Sequence, residues 1–290
     1  MLWPWYSAKA LCLGQDLQPS WKRKKAKQAL CMLKHRAQAW LSNRLLQPLC
    51  RNQVYRVRQG VARGFRVQGG LFFLPKPPTA EEAFLTNCDW TGKVVYDVGA
   101  FLGHFTLFFA QAVKPEGCVV AFEPNPENRR AMEVNIALNH LDNVRIEPVA
   151  LGNRPDVATL VVPDGERAMG TLLEQKFPKL RYAARVCGIS VDTLDAYRMA
   201  HALPAPNFIK IDVEGAEGMV LEGMTRTIAE CRPQLFIEVH DMAKGDPMAA
   251  AQQLFESLRN MDYSMYHVEQ DRTLEAFDSE LLLKGHLFCR

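Results

Sequence analysis

The chain has 290 residues, 35 basic and 32 acidic, for a formal net charge of +3. Hydrophobic residues make up 48% and charged ones 23%, ordinary globular usage that excludes general disorder, a collagen-like repeat and a coiled-coil rod. A chain of this length buries enough surface to fold without a disulfide or metal staple.

The charge is uneven. Residues 1–70 hold 14 of the basic residues and one acid, Asp16, so the remainder is net acidic. This predicts a basic extension, residues 1–53, on an acidic body. Ser20 is placed to cap a helix reaching about Leu46, with Ala26, Leu30, Leu33, Ala37, Leu41 and Leu45 on one face. Either that face packs on the body and the basic side is solvated, or the helix lies on an anionic membrane surface. No recognised nucleic-acid module accompanies it, so no specific nucleic acid is expected. Eight cysteines without a CxxC pair point to reduced thiols and a cytoplasmic chain, peripheral to a membrane on the second reading of the arm. No run approaches the roughly 20 apolar residues of a membrane span. The apolar start lacks the basic n-region of a secretory signal, so none is expected.

Residues 54–90 read as a small β-meander followed by a helix, with Thr79 as cap and Glu82 in the capping-box position. From residue 91 to 290, apolar β-branched runs alternate with helical patterns. Strands are expected at 93–98, 118–123, 144–149, 207–212 and 234–240, and helices at 105–113, 126–139 and 218–230. The alternation predicts an α/β fold with a parallel sheet covered on both faces. Residues 157–191 interrupt it as a β-hairpin insertion. The tail gives one helix and an antiparallel edge pair.

In such sheets ligands bind beyond the carboxyl ends of the strands. The first strand ends in Asp97, then turns through Gly99, Ala100 and Gly103 into a helix. That spacing is not GxGxxG, and an acid beside a pyrophosphate would be repelled, which argues against a nicotinamide-dependent oxidoreductase. Glu123 and Pro124 end the second strand, 20 residues after Gly103, where a carboxylate can accept ribose hydroxyls. On the strand 207–212, Lys210, Asp212 and Glu214 alternate and so share a face, costly unless paired or functional. Glu238 and His240 alternate at the end of the next strand, and His240 beside them could be an oriented base.

The strings DVGAFLGHFTL, FEPNP, NVRIEPVALG, ISVDTLDAY, IKIDVEGAEGMVLEGM and LFIEVH resemble, in order and spacing, the FkbM family of S-adenosylmethionine-dependent methyltransferases. The resemblance implies a seven-stranded Rossmann-like class I sheet with an antiparallel C-terminal edge, and O-methylation of a sugar, glycolipid or natural-product hydroxyl. It implies that Asp97, Gly99, Ala100 and Gly103 meet the methionine half of the cofactor and that Glu123 and Pro124 meet the ribose. It places Asp142 to Val149 near the adenine and Asp212 under the reacting methyl. Phe101 stands where many members carry Asn. The expected base is His240 oriented by Glu238, with Asp212 second and Lys210 and Glu214 beside them. The alternative is a Mg2+ ion held by Asp212, Glu214 or Glu238. A membrane-attached, lipid-linked sugar is an attractive acceptor given the basic arm. Arg167, Lys176, Lys179, Arg181 and Arg185 in the insertion are placed to meet an anionic group on it. A non-catalytic adenosyl-binding module on the same fold is the competing class.

Overall fold

The computed structural model describes residues 52–68, 78–163, 184–240, 246–278 and 285–290. The basic arm with its expected helix lies outside the described residues. So does the tip of the insertion with Arg167, Lys176, Lys179 and Arg181.

A short antiparallel pair, β1 (Val54–Arg56) and β2 (Arg66–Gln68), comes first. Helix α1 (Ala80–Thr86) begins where the capping pattern predicts. The Thr79 hydroxyl accepts from Glu82 N–H at 3.1 Å, and the Glu82 carboxylate accepts from Thr79 N–H at 3.2 Å. Strand β3 (Val94–Val98), helix α2 (His104–Ala112), strand β4 (Cys118–Phe122), helix α3 (Pro126–Leu138) and strand β5 (Val144–Glu147) follow. Among the described residues the meander is reduced to the β1–β2 pair. Asn135 and Asn139 on and just after α3 accept from the Gln68 and Arg66 N–H groups, at 2.7 and 2.8 Å, so side chains satisfy backbone that a third strand would otherwise pair.

Strand β6 (Ala150–Leu151) joins the hairpin of β7 (Asp156–Pro163) and β8 (Ala184–Asp192) in a separate three-stranded sheet. This is the expected insertion. The chain then runs through α4 (Leu194–Ala200), β9 (Phe208–Ile211), α5 (Glu217–Glu222), α6 (Thr225–Cys231), β10 (Gln234–Val239), α7 (Pro247–Asn260), β11 (Met265–His267), β12 (Arg272–Thr273) and β13 (Gly285–Cys289). The main sheet has the order β12-β11-β13-β10-β9-β3-β4-β5. It is parallel from β10 to β5 and antiparallel at the C-terminal edge. The two-residue edge strand β12 makes it eight strands where seven were expected.

Alternation sorts the strands onto two faces. Val95, Phe208 and Phe236 pack with Leu85, Trp90 and Phe109 on one side. Tyr96, Val98, Ile209, Ile211 and Ile237 pack with Leu194, Val220 and Leu254 on the other. The segment before the sheet contributes directly to the first core, since the Trp90 ring lies 4.6 Å from that of Phe208.

The single helix expected over 218–230 is broken at Gly223. A Cβ there would sit 1.9 Å from the Gly152 carbonyl oxygen. The Gly223 carbonyl accepts from Asp195 N–H, and the Asp195 carboxylate accepts from the N–H groups of Arg226 and Thr227 at 2.9 and 2.7 Å. A side chain from α4 therefore caps a new helix start, which no local pattern reveals. Among the described residues no helix is long and apolar enough to cross a membrane.

The chain moves outward from β3 through β4 to β5, then returns to β9 on the other side of β3. That reversal opens a crevice beyond the carboxyl ends of β3 and β9.

Candidate active site

One wall of the crevice is built from backbone. Gly99 and Gly103 have φ of 85° and 83°, and a Cβ on Gly99 would lie 1.9 Å from the Asp212 carbonyl oxygen. Only glycine lets the β3 and β9 ends approach so closely. The N–H groups of Gly99 and Ala100 donate to the Phe122 carbonyl at 3.0 and 3.1 Å, tying the turn to β4. Phe101 N–H then donates to Glu123 Oε2 at 2.8 Å, while Asn125 N–H and Asn128 Nδ2 donate to Oε1 at 2.8 and 3.3 Å. Burial pushes the Glu123 carboxyl up to about 7, against these hydrogen bonds, which favour its charged form. Phe101 has φ of 53°, a left-handed conformation that Asn tolerates better than an aromatic residue. Gly99, Phe101, Glu123, Asn128, Val149 and Asp212 are among the residues that line the resulting cleft. Asn128 Oδ1 is buried there without a hydrogen-bond partner.

The other wall is built from charged side chains. Lys210, 2% exposed, reaches Asp212 Oδ2 at 3.0 Å and Glu81 Oε1 at 3.5 Å. Burial opposes its charge, but Asp212, Glu81 and Asp97 outweigh burial and raise its pKa, so it is a fixed cation. His240 Nδ1 meets the buried Glu217 Oε1 at 2.8 Å. That oxygen also accepts from Gly215 N–H at 2.9 Å. His240 Nε2 faces Asp212 Oδ1 at 3.9 Å, Glu214 Oε2 at 3.8 Å and Glu238 Oε1 at 3.6 Å. Burial alone would lower the His240 pKa; Glu217, Asp212 and Glu214 carry it to about 9 instead. His286 on β13 faces Glu238 Oε2 at 3.6 Å and Glu81 Oε2 at 3.4 Å, and also pairs with Glu269. Against burial, these carboxylates raise it to about 10. The nearby His286 is the largest influence on Glu238 and holds it below the ordinary carboxylate range.

A family model described as the methyltransferase FkbM domain matches residues 97–265, more than half of the chain. The chain belongs to the FkbM methyltransferase family. Its members are S-adenosylmethionine-dependent methyltransferases, and the oxidoreductase reading falls away. The chain is 28% identical over 178 residues to Methyltransferase 1 of Beauveria bassiana (strain ARSEF 2860), covering 56% of this chain and 70% of that one. It is 28% identical over 218 residues to AMB antimetabolite synthetase AmbE of Pseudomonas aeruginosa, covering 64% of this chain but only 10% of AmbE. A crystal structure of methyltransferase FkbM from Methylobacillus flagellatus KT aligns at 17% identity and a TM-score of 0.46, over 71% of this chain and 45% of that one. The chain thus spans a tenth of AmbE and under half of the M. flagellatus protein.

Of the residues that the FkbM resemblance assigned to the cofactor, Gly99, Glu123, Pro124, Val149 and Asp212 line the cleft. Four others do not. Asp97 is 2% exposed and accepts the Thr106 hydroxyl at 2.6 Å, so it fixes the start of α2. Ala100 packs with Ala121 and Met132, and a Cβ on Gly103 would meet Met132. Asp142 is misplaced: it precedes β5, at the amino end of the sheet, and lines a separate groove with Glu133 and His140. The family strings ran across this strand, but only its carboxyl end reaches the crevice.

The five residues predicted to carry the chemistry are brought together, with two corrections. Glu217, not Glu238, orients His240, because the turn 214–216 folds the first residue of α5 back over the strand end. His240 is a cation at neutral pH in this arrangement and so does not stand ready to take a proton. Lys210 anchors Asp212 and is no base. Sequence reasoning missed Glu81, Glu269 and His286. Glu81 stands in the first turn of α1, where an acid needs no functional explanation. His286 is brought opposite Glu238 only by the antiparallel register of β13, which sequence leaves open.

Proposed function

We propose that this FkbM methyltransferase transfers the methyl group of S-adenosylmethionine to a hydroxyl of a sugar, glycolipid or natural-product acceptor. The observation that carries the cofactor side is Glu123. Its carboxylate is held at the β4 end by two backbone N–H groups, beside the unpartnered Asn128 Oδ1 in the same cleft. Two acceptor groups side by side suit a vicinal diol such as a ribose, so the residues present fit the cofactor. When bound, the cofactor supplies a methyl on a sulfonium, whose sulfur leaves as a neutral thioether.

The chain's residues then have separable tasks. The Gly99 turn lets the reacting centre approach backbone closely. Asp212, with Oδ2 tied to Lys210, presents Oδ1 toward the crevice. Asp212 and Glu238 are carboxylates on the mouth where an acceptor hydroxyl must surrender its proton, and positioning that hydroxyl supplies much of the rate. The basic arm supports a lipid-linked acceptor at an anionic membrane. Liposome binding by the intact chain, lost when it starts near Asn52, is the expected result; no binding by the intact chain ends that part of the reading.

The deciding experiment is calorimetric titration with S-adenosylmethionine, S-adenosylhomocysteine and NAD. Saturable binding of the two adenosyl ligands is expected, weakened about tenfold in Asn128→Ala through loss of roughly one hydrogen bond, with no binding of NAD. A well-folded chain that binds neither adenosyl ligand would overturn the proposal. An acceptor screen on sugars and glycolipids follows from a positive result.

A further inference from the structure

Three ligand-type atoms converge at the mouth of the crevice without touching. One ligand-type atom from each of Asp212, Glu238 and His240 lies within 4.8 Å of the others, and Asp212 Oδ1 and Glu238 Oε1 are the oxygens that face His240 Nε2. The gaps to Nε2, 3.9 Å for Asp212 and 3.6 Å for Glu238, are too long for hydrogen bonds. Atoms bound to a common cation at about 2.1 Å stand roughly 3.0–3.4 Å apart, so the two gaps to Nε2 would close by about 0.2–0.9 Å. Glu214 Oε2, 3.8 Å from the same nitrogen, adds a further negative charge at this point.

What distinguishes this group from a chance gathering of acids is how each member is aimed. Every one turns its other polar atom to a charged group. Asp212 Oδ2 is held by Lys210 at 3.0 Å. Glu238 Oε2 faces His286 Nε2 at 3.6 Å. His240 Nδ1 is held by Glu217 Oε1 at 2.8 Å, and Glu217 is 5% exposed and itself fixed by Gly215 N–H. A carboxylate on the far nitrogen of a histidine fixes the tautomer that leaves Nε2 as a donor to a metal, the usual outer partner of a metal-bound imidazole. Three separate elements, β9, β13 and α5, supply this support.

We propose that Asp212 Oδ1, Glu238 Oε1 and His240 Nε2 form a binding site for one divalent cation, with water or an acceptor hydroxyl completing its shell. One imidazole among carboxylates favours an ion of mixed oxygen and nitrogen preference, Mn2+ or Fe2+, over Mg2+, which prefers oxygen alone. The ion occupies the position of the proton on Nε2. Its role in the reaction rests on the methyl-transfer reading: bound to the ion, an acceptor hydroxyl loses its proton more readily. Binding itself does not depend on that reading.

The test is Mn2+ titration of the chelator-treated full chain, followed by electron paramagnetic resonance, with adenosyl-ligand calorimetry in parallel. One Mn2+ per chain is expected. His240→Gln and Glu238→Gln should each weaken it at least tenfold, and Glu217→Gln, which touches no metal, about tenfold through loss of the imidazole's support. Circular dichroism checks that each variant is folded. No Mn2+ binding by the folded wild-type chain at millimolar metal overturns the site. Full-affinity binding that survives in both His240→Gln and Glu238→Gln overturns it equally. Mn2+ binding with no adenosyl binding would sink the methyl-transfer reading and leave the cation site standing.

Discussion

On the β3–β4 side of the crevice, Glu123 is fixed by backbone N–H groups of Phe101 and Asn125. On the β9–β10 side, Asp212, Glu238 and His240 are fixed by other charged side chains, from α1, β13 and α5 as well as their own strands. The first wall depends on a turn that only glycine can make. The second depends on charges that must balance. Backbone geometry should therefore break the first wall, and charge removal should loosen the second without unfolding the protein.

The largest effect is expected at Gly99, where the two walls touch. With φ of 85° and a Cβ placed 1.9 Å from the Asp212 carbonyl, Gly99→Ala forces either the turn or the β9 end to move. Both sit in a packed core, so the cost should reach about 4 kcal/mol or more. Denaturant unfolding and adenosyl-ligand calorimetry check it. A Gly99→Ala protein of normal stability and affinity would show that the backbone wall is not rigid.

Glu123 gives the next largest effect, and pH reveals its sign. Its folded pKa of about 7 lies above the ordinary carboxylate value of 4.5 because burial disfavours the anion. Between those values the folded state binds more protons than the unfolded one, so this group makes stability fall as pH rises from about 4.5 to 7. At about 1.4 kcal/mol per unit the loss is on the order of 3 kcal/mol. Glu123→Gln should remove that slope and weaken adenosyl binding at least tenfold, since an amide cannot replace both acceptor oxygens. Unfolding curves of both proteins across that range make the comparison. Parallel pH profiles would place Glu123 in water and remove it from the backbone wall.

The contrast between the walls also decides what sequence could show. The backbone wall is local: Gly99, Gly103 and Glu123 lie in two consecutive strand–turn–helix units, and their spacing carries the geometry. The parallel strands were legible as apolar runs for the same reason. The charged wall was legible only in part. Lys210, Asp212, Glu214, Glu238 and His240 stand at two strand ends that neighbouring β9 and β10 bring together. Glu81 comes from α1, ahead of the sheet, and His286 from the last strand, and their arrival depends on tertiary docking and register. Glu217 was visible as an acid, but its hold on His240 needs the turn at Glu214 and Gly215, with φ of 55° and 99°. Asp142 shows the opposite error: a family string crossed the whole of β5, and spacing alone does not say which end faces the ligand.

The smallest effect is expected at Thr79, which tests whether the charged wall leans on the local stability of α1. Thr79→Ala removes the side-chain half of the capping box and should cost about 1 kcal/mol, a fall of roughly 2–4 °C in Tm for a domain of this size. Glu81, two residues on, should nevertheless keep its place beside Lys210. The helix is held from below by Leu85, fully buried, and by Trp90, whose indole N–H donates to the Leu85 carbonyl at 2.8 Å. Mn2+ and adenosyl affinities in Thr79→Ala should therefore stay within about twofold of wild type, since packing rather than the cap positions the helix. A larger loss in Mn2+ affinity alone would mean that α1 frays far enough to free Glu81 and release Lys210. The charged wall would then be softer than its ion pairs imply, and the difference between the two walls would be one of rigidity as well as of chemistry.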